Sequence, residues 1–190
     1  MPSRRQRQMC IRDRNLSGFE SIIDEFSDQN ETLQYELTFA GSNRYLFIAD
    51  AFRLGWTAEH IHSLTGIDPW FLEQIRELID LEMTLSDKTL SSLDAKELLF
   101  YKKKGFSDKR LAFLMRSTED SVRGLRVSKG IIPSFKRVDT CAGEFATETA
   151  YMYSTYDGSC EANPSNQKKV IVLGSGPNRI GQGIEFDYCC

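Results

Sequence analysis

Shifting the sequence against itself by fifty positions lays one helix-turn-helix pattern on another. Gly55 meets Gly105, Trp56 meets Phe106, Thr57 meets Ser107, Ile61 meets Leu111, Leu64 meets Leu114, Asp68 meets Thr118 and Leu72 meets Val122. Each pair keeps one physical role: helix stop, aromatic staple, hydroxyl cap, two core positions, second cap and next core position. Any one match could be accidental, but the ordered set specifies two similar helix-turn-helix units packed into one all-helical domain over residues 42–129.

The periodicity supplies the helices. Tyr45, Leu46, Ile48, Ala49 and Phe52 recur at helical spacing, and Gly55 follows where a left-handed C-cap belongs. Thr57 opens a second helix with Ile61 and Leu64 on one face and Gly66 as its stop. Asp68 before Pro69 opens a third, since Pro in the first turn loses no hydrogen bond, and Phe71, Leu72, Ile75, Leu78 and Ile79 carry it to about Leu81. Asp94 starts the next series, with Leu98, Leu99 and Tyr101 before Gly105. Upstream, residues 15–41 predict a short helix and a connection around Ile22, Ile23, Phe26 and Leu33.

Helical periodicity stops at Gly130. The following stretch mixes small residues (Ala142, Gly143, Ala146) with Phe135, Phe145, Tyr151, Tyr153 and Tyr156. It lacks the bulk for its own core and is too apolar for a solvated linker, so we expect a connector lying against another domain. After the turn signal at residues 163–166, Val170, Ile171, Val172 and Leu173 predict a short buried strand that enters a glycine-rich turn.

That turn holds Gly174, Gly176, Gly181 and Gly183 around Arg179, with Glu185 beyond. Glycines between a strand and a helix start let backbone N–H groups approach an anion. The dinucleotide fingerprint fails, because Arg179 stands where its third glycine is needed, and no Gly-Lys-Ser/Thr makes a P-loop. One strand and a half-made helix cannot bury their apolar faces, so the sequence has the look of a piece of something longer.

Composition narrows the class. The hydrophobic share of 41% suffices for a core. No run approaches the roughly 18 apolar residues of a membrane span, and no signal-peptide core follows the start. A cytoplasmic location is therefore expected, with reduced, structural thiols at Cys10, Cys141, Cys160, Cys189 and Cys190. Residues 1–14 hold five Arg and one Asp, a charge of +4 that leaves -7 for the rest. This arm has no periodicity, resembles a translated adapter remnant, and is set aside from the fold.

Other candidate sites have plainer readings. His60 and His62, two apart on a helix, cannot share a metal, and no metal site is expected. Lys102, Lys103 and Lys104 close a helix as a solvated cationic end, and Glu73, Glu77 and Asp80 form a wet helix face. The rival function is a helix-turn-helix binding module for nucleic acid or protein. Its recognition helix, residues 68–82, carries Asp68, Glu73, Glu77, Asp80 and Glu82 against Arg76 alone, a charge that repels DNA.

Specific wording goes further than pattern. Residues 135–156 (FKRVDTCAGEFATETAYMYSTY), then Glu161-Ala162-Asn163-Pro164 and the loop from Gly174 to Cys190, closely resemble the large subunit of the carbamoyl-phosphate synthetase family. Phe52-Arg53-Leu54-Gly55, residues 67–72 (IDPWFL) and Lys104-Gly105-Phe106-Ser107-Asp108 agree. The resemblance implies two ATP-grasp synthetase halves separated by a helical oligomerisation domain. On that map residues 15–42 are the tail of the first half, 43–157 the oligomerisation domain with its connector, and 158–190 the start of the second half, a truncated pre-ATP-grasp α/β unit.

It also implies ATP, Mg or Mn with K, and a glutaminase small subunit in the full-length protein, but no cofactor, catalytic residue or nucleic-acid or membrane partner in this piece. Such a protein makes carbamoyl phosphate for arginine and pyrimidine synthesis, and this piece serves self-association and inter-domain packing. The loop lies in the family near the route of carbamate, which makes Arg179, Gly183 and Glu185 the expected lining of that passage.

Overall fold

The structure is a computed structural model that describes residues 16–23, 28–146 and 151–171. Within it the chain divides into two units, Ser17–Ala162 and a second made of Met1–Leu16 and Asn163–Cys190.

Among the described residues, seven α-helices build the first unit: α1 (Gln29–Thr38), α2 (Arg44–Arg53), α3 (Ala58–Thr65), α4 (Pro69–Ser86), α5 (Ala95–Lys103), α6 (Asp108–Leu114) and α7 (Glu119–Ser128). The mainly helical class and the doubled helix-turn-helix are as the sequence predicts. Gly55 at φ +83° and Gly105 at φ +95° close equivalent helices, each letting the next residue bond back five positions. Trp56 N donates to Ala51 O at 3.0 Å and Phe106 N to Tyr101 O at 3.1 Å. Thr57 then caps α3 through His60 N, and Ser107 caps α6 through Arg110 N. Asp68 and Thr118 cap α4 and α7, and the core pairs Ile61/Leu111 and Leu72/Val122 are all at 0% exposure.

Two hydrophobic cores result. The first gathers Leu33 and Leu37 of α1 with Phe47, Ile48, Phe52, Ile61, Leu72 and Ile79. The second gathers Leu85, Leu98, Tyr101, Phe106, Leu111, Met115 and Val122. Helix α4 serves both, which explains why it runs to Ser86, past the expected end near Leu81. Its far end places Leu85 in the second core, and no Gly or Pro interrupts it. Phe71 and Tyr45, which share the helical spacing, each stand 58% exposed instead.

The stretch after Gly130 is more ordered than expected. β1 (Ser134–Arg137) pairs antiparallel with β2 (Met152–Thr155), Ser134 opposite Thr155 and Arg137 opposite Met152. Phe135, Met152 and Tyr153 suit a pleated surface, whereas the small residues lie between the strands. Ile131 and Tyr156 at its ends pack on the second core, so the connector rests partly on its own helical domain rather than only on another.

Of the other unit, residues 16 and 163–171 are described. Val170 and Ile171 are 91% and 83% exposed and belong to no strand, contrary to the buried strand expected there; a strand needs a ladder partner, and none stands beside them among the described residues. Val172 and Leu173 lie outside the described residues.

Candidate functional site

Gly174, Gly176, Arg179, Gly181, Gly183 and Glu185 all lie outside the described residues. The built polar site of the described chain is elsewhere, at the joint between the two helical cores.

Its centre is Glu82, 5% exposed on α4. Ile75, Ile79, Glu82 and Leu85 follow one another at four, three and three residues, so the helix carries this carboxylate inward on its apolar stripe. A carboxylate there must be paired. Arg110 of α6 donates from Nε to Glu82 Oε1 and from Nη2 to Oε2, both at 2.7 Å. Arg53 of α2 donates from Nη2 to Oε2 at 2.9 Å and from Nη1 to Asp50 Oδ1 at 2.7 Å. The incoming segment joins them: Phe19 O accepts from Arg110 Nη2 at 3.0 Å and from Arg53 Nη2, while Ile22 N donates to Asp50 Oδ2 at 3.0 Å.

One arginine from each helical unit thus holds a single backbone carbonyl, and Glu82 of the shared helix accepts from both arginines. Asp50 and Glu82 balance Arg53 and Arg110, so although Arg110 Nη1 is buried without a hydrogen-bond partner, the joint needs no further ion. The cleft beside it, lined by Gly18, Phe19, Glu82, Lys104 and Arg110, is about 120 Å³. Small-molecule pockets usually begin near roughly 300 Å³.

A second cluster stiffens the second unit. Lys102, 6% exposed, donates to Asp108 Oδ1 at 2.7 Å and to Phe106 O at 2.6 Å. Arg126 donates to Asp108 Oδ2 at 3.0 Å and to Ile131 O at 2.8 Å. The Tyr156 ring lies 5.1 Å from Lys102 Nζ and 5.7 Å from Arg126 Cζ, offering its π-face to the cation in excess. Burial pushes the Asp108 carboxyl up, but hydrogen bonds from Lys102 and Arg126 outweigh it and hold the group below the usual carboxylate range. Burial dominates at Tyr156 and pushes its phenol up against the opposing pull of Arg126.

These clusters correct one expectation and change the charge count of another. Lys102 is buried and paired rather than part of a solvated helix end; the cause is Asp108 at the next N-terminus, six residues on. Lys103 and Lys104 are the outer members, paired with Asp157 and Glu77. Of the five acids counted on the rival recognition helix, Glu82 is buried, and Asp68 caps the helix as expected. The outer face of α4 then presents Trp70, Phe71, a Glu73–Arg76 pair and Asp80, with no basic stripe for a phosphate backbone.

His60 rests against the Trp56 ring at 4.6 Å, and His62 Nδ1 lies 2.7 Å from Ile67 O. Among the described residues no three His, Cys, Asp or Glu side chains are grouped to hold a metal ion, and no helix is long and apolar enough to cross a membrane. The arrangement is that of a scaffold, in which buried charge fixes how two helical units and an incoming segment meet.

Known proteins agree with that character. The family model for the oligomerisation domain of the carbamoyl-phosphate synthetase large chain matches residues 6–130, and the model for the carbamoyl phosphate synthase preATP-grasp domain matches residues 166–190. Proteins named carbamoyl phosphate synthase large chain are similar over most of this sequence. The one from Neisseria meningitidis serogroup A is 58% identical over 178 residues, and that from Pasteurella multocida 53%, each across 92% of this chain and 17% of the relative. That from Xanthomonas campestris is 53% identical across 86% of this chain and 15% of the relative. The chain thus spans about 17% of the length of the first two relatives. It belongs to the carbamoyl-phosphate synthetase large-chain family, whose oligomerisation domain makes up most of it.

Proposed function

We propose that this chain is the joint between the two synthetase halves of a carbamoyl-phosphate synthetase large chain, and that its helical unit holds large chains to one another. The observation that carries the reading is the order of the two matches, an oligomerisation domain over residues 6–130 followed by the start of a preATP-grasp domain from residue 166. A scaffold of two cores locked by buried charge suits a part that sets distances and does no chemistry of its own.

On this reading the full-length protein is an ATP-dependent ligase of the cytoplasm. It joins bicarbonate, ammonia released by a glutaminase subunit, and phosphate from ATP into carbamoyl phosphate for arginine and pyrimidine synthesis. ATP, Mg or Mn, and K are bound elsewhere in it. Arg179, Gly183 and Glu185 line the passage of carbamate, where a cation guides an anionic intermediate and glycine leaves room. In the full-length protein, Gly183→Phe should then spare bicarbonate-dependent ATP hydrolysis while carbamoyl phosphate formation falls. Normal synthesis would remove the loop from the passage.

The test of the whole reading is an exchange. This chain replaces the matching segment of the Neisseria meningitidis large chain, and glutamine-dependent carbamoyl phosphate synthesis is measured with the small subunit present. Retained synthesis is expected. A folded chimera with both partial ATPase reactions intact but no synthesis would refute the assignment.

A further inference from the structure

Residues 17–23 are fastened to both helical units by different means. Ser17 donates from N and Oγ to Glu20 Oε1, both at 2.8 Å, and Glu20 N donates to Gly18 O at 3.0 Å, which makes a tight turn with Phe19 at its corner. Phe19, Ile22 and Ile23 pack on the first core, and the Ile22 amide is held by Asp50 of α2. From the second unit, Arg110 of α6 reaches in.

Two independent features bind this segment to Arg110. Phe19 O accepts from Arg110 Nη2 at 3.0 Å. Gly18 lies flat along the same side chain: a Cβ on it would stand 3.1 Å from both Arg110 Cδ and Nε, inside the roughly 3.5–4.0 Å at which carbon atoms settle. The backbone of Gly18 is not left-handed, so closeness is what this position asks of its residue.

Arg110 in turn has no acceptor to spare. It is 3% exposed, its Nε and Nη2 serve Glu82, and its Nη1 is already buried without a hydrogen-bond partner, with the Phe113 ring 5.3 Å from Cζ. Lifting Phe19 O away would leave a further N–H of Arg110 short of an acceptor, and one of Arg53 as well. Both arginines share the Glu82 carboxylate, so the loss falls on the joint itself.

We propose that residues 17–23 are a strap whose docking and the locking of the two helical units are one event: drawn out, the strap releases Arg53 and Arg110, and the units lose their fixed relation. Under the joint proposed above, on which this rests, the chain before the strap leads to the first synthetase half. A pull from that side then reaches the second helical unit through Phe19 and Arg110. Linkage makes the effect reciprocal, so that whatever loosens the grip of Arg110 also loosens the strap.

The experiment uses the whole 190-residue chain and two variants. Gly18→Val pushes the strap from Arg110 and changes no charge, whereas Arg110→Lys keeps the charge but loses the fork that reaches Glu82 and Phe19 together. Amide hydrogen exchange reads the strap at Ile22, whose hydrogen-bond partner is Asp50 rather than Arg110. Spin labels on unnatural side chains at the exposed Tyr45 of α2 and Val127 of α7 read the relation of the two units as a distance distribution. Far-UV circular dichroism checks the helix content of each variant.

Both variants should speed Ile22 exchange about tenfold or more, as a local opening does, and both should broaden the label distribution. If Arg110→Lys loses its helices, Gly18→Val, which lies outside both cores, decides alone. A native Ile22 rate in a folded Arg110→Lys, or label distances as narrow as native in Gly18→Val, would overturn the strap and leave the segment a passive tail on the first core. Neither readout involves synthesis, so that result leaves the joint between synthetase halves standing, and a failed exchange of the whole segment leaves the strap.

Discussion

Arg110 grips Glu82 with two parallel hydrogen bonds of 2.7 Å across 28 residues, joining the second helical unit to the helix shared with the first. Fork geometry suits a guanidinium to this task, since two donors fix the angle as well as the distance. Arg53 approaches the same carboxylate from the other side. The relation between the two cores is therefore set by one acid.

Removing that acid's charge leaves two arginines short of a partner in a buried place. Glu82→Gln should cost ~3–5 kcal/mol, the usual penalty for breaking a buried pair from one side. Urea unfolding checks it. A loss within ±0.5 kcal/mol, the level of an ordinary surface substitution, would mean that the joint carries no strain-bearing role.

Ile61 and Leu111 are equivalent by the fifty-residue shift, and both are fully buried. Truncating either to Ala should cost ~2–5 kcal/mol. Thermal melts of the two variants should show losses of similar size; a large loss in one and almost none in the other would deny that the units are structural equals.

Gly66 and Arg116 also share a place in the repeat and a left-handed backbone, φ +68° and +51°. Glycine adopts that conformation freely and arginine does not. Arg116→Gly should therefore stabilise the domain by roughly 0.5–1 kcal/mol and Gly66→Ala should destabilise it by a similar amount. Matched denaturant titrations give both signs at once.

Asp108 links stability to pH. Its folded pKa lies below the unfolded value of about 3.9, so its contribution is present above that value and is lost as pH falls through the folded pKa. Melting temperature should fall with acidification in this window. Asp108→Asn should start from a lower melting temperature and show a shallower fall there; an equally steep acid profile would assign the dependence to other carboxylates.

What could be read from sequence was what is local. Caps, left-handed stops and core spacing are decided within a few residues, and the fifty-residue shift amplified them. The charge of Glu82 alone points to solvent and hides the joint. Its spacing from Ile79 and Leu85 puts it on the buried stripe, and that signal was present. Nothing comparable marks its partners: Arg110 falls where the first unit has the exposed His60, and Phe19 offers only a backbone carbonyl 91 residues away. Strands β1 and β2 leave no signal for a similar reason, since four-residue strands in an aromatic and small-residue stretch show no usable period.

The claim that this helical unit holds large chains together is tested most directly by the native mass of full-length protein in sedimentation equilibrium. In the Neisseria meningitidis large chain, the segment matching residues 42–129 is replaced either by these residues or by a flexible Gly/Ser linker. The first chimera should keep the native assembly, and the linker version should fall to a smaller mass while each synthetase half stays folded. A linker version that keeps the full native mass would contradict it.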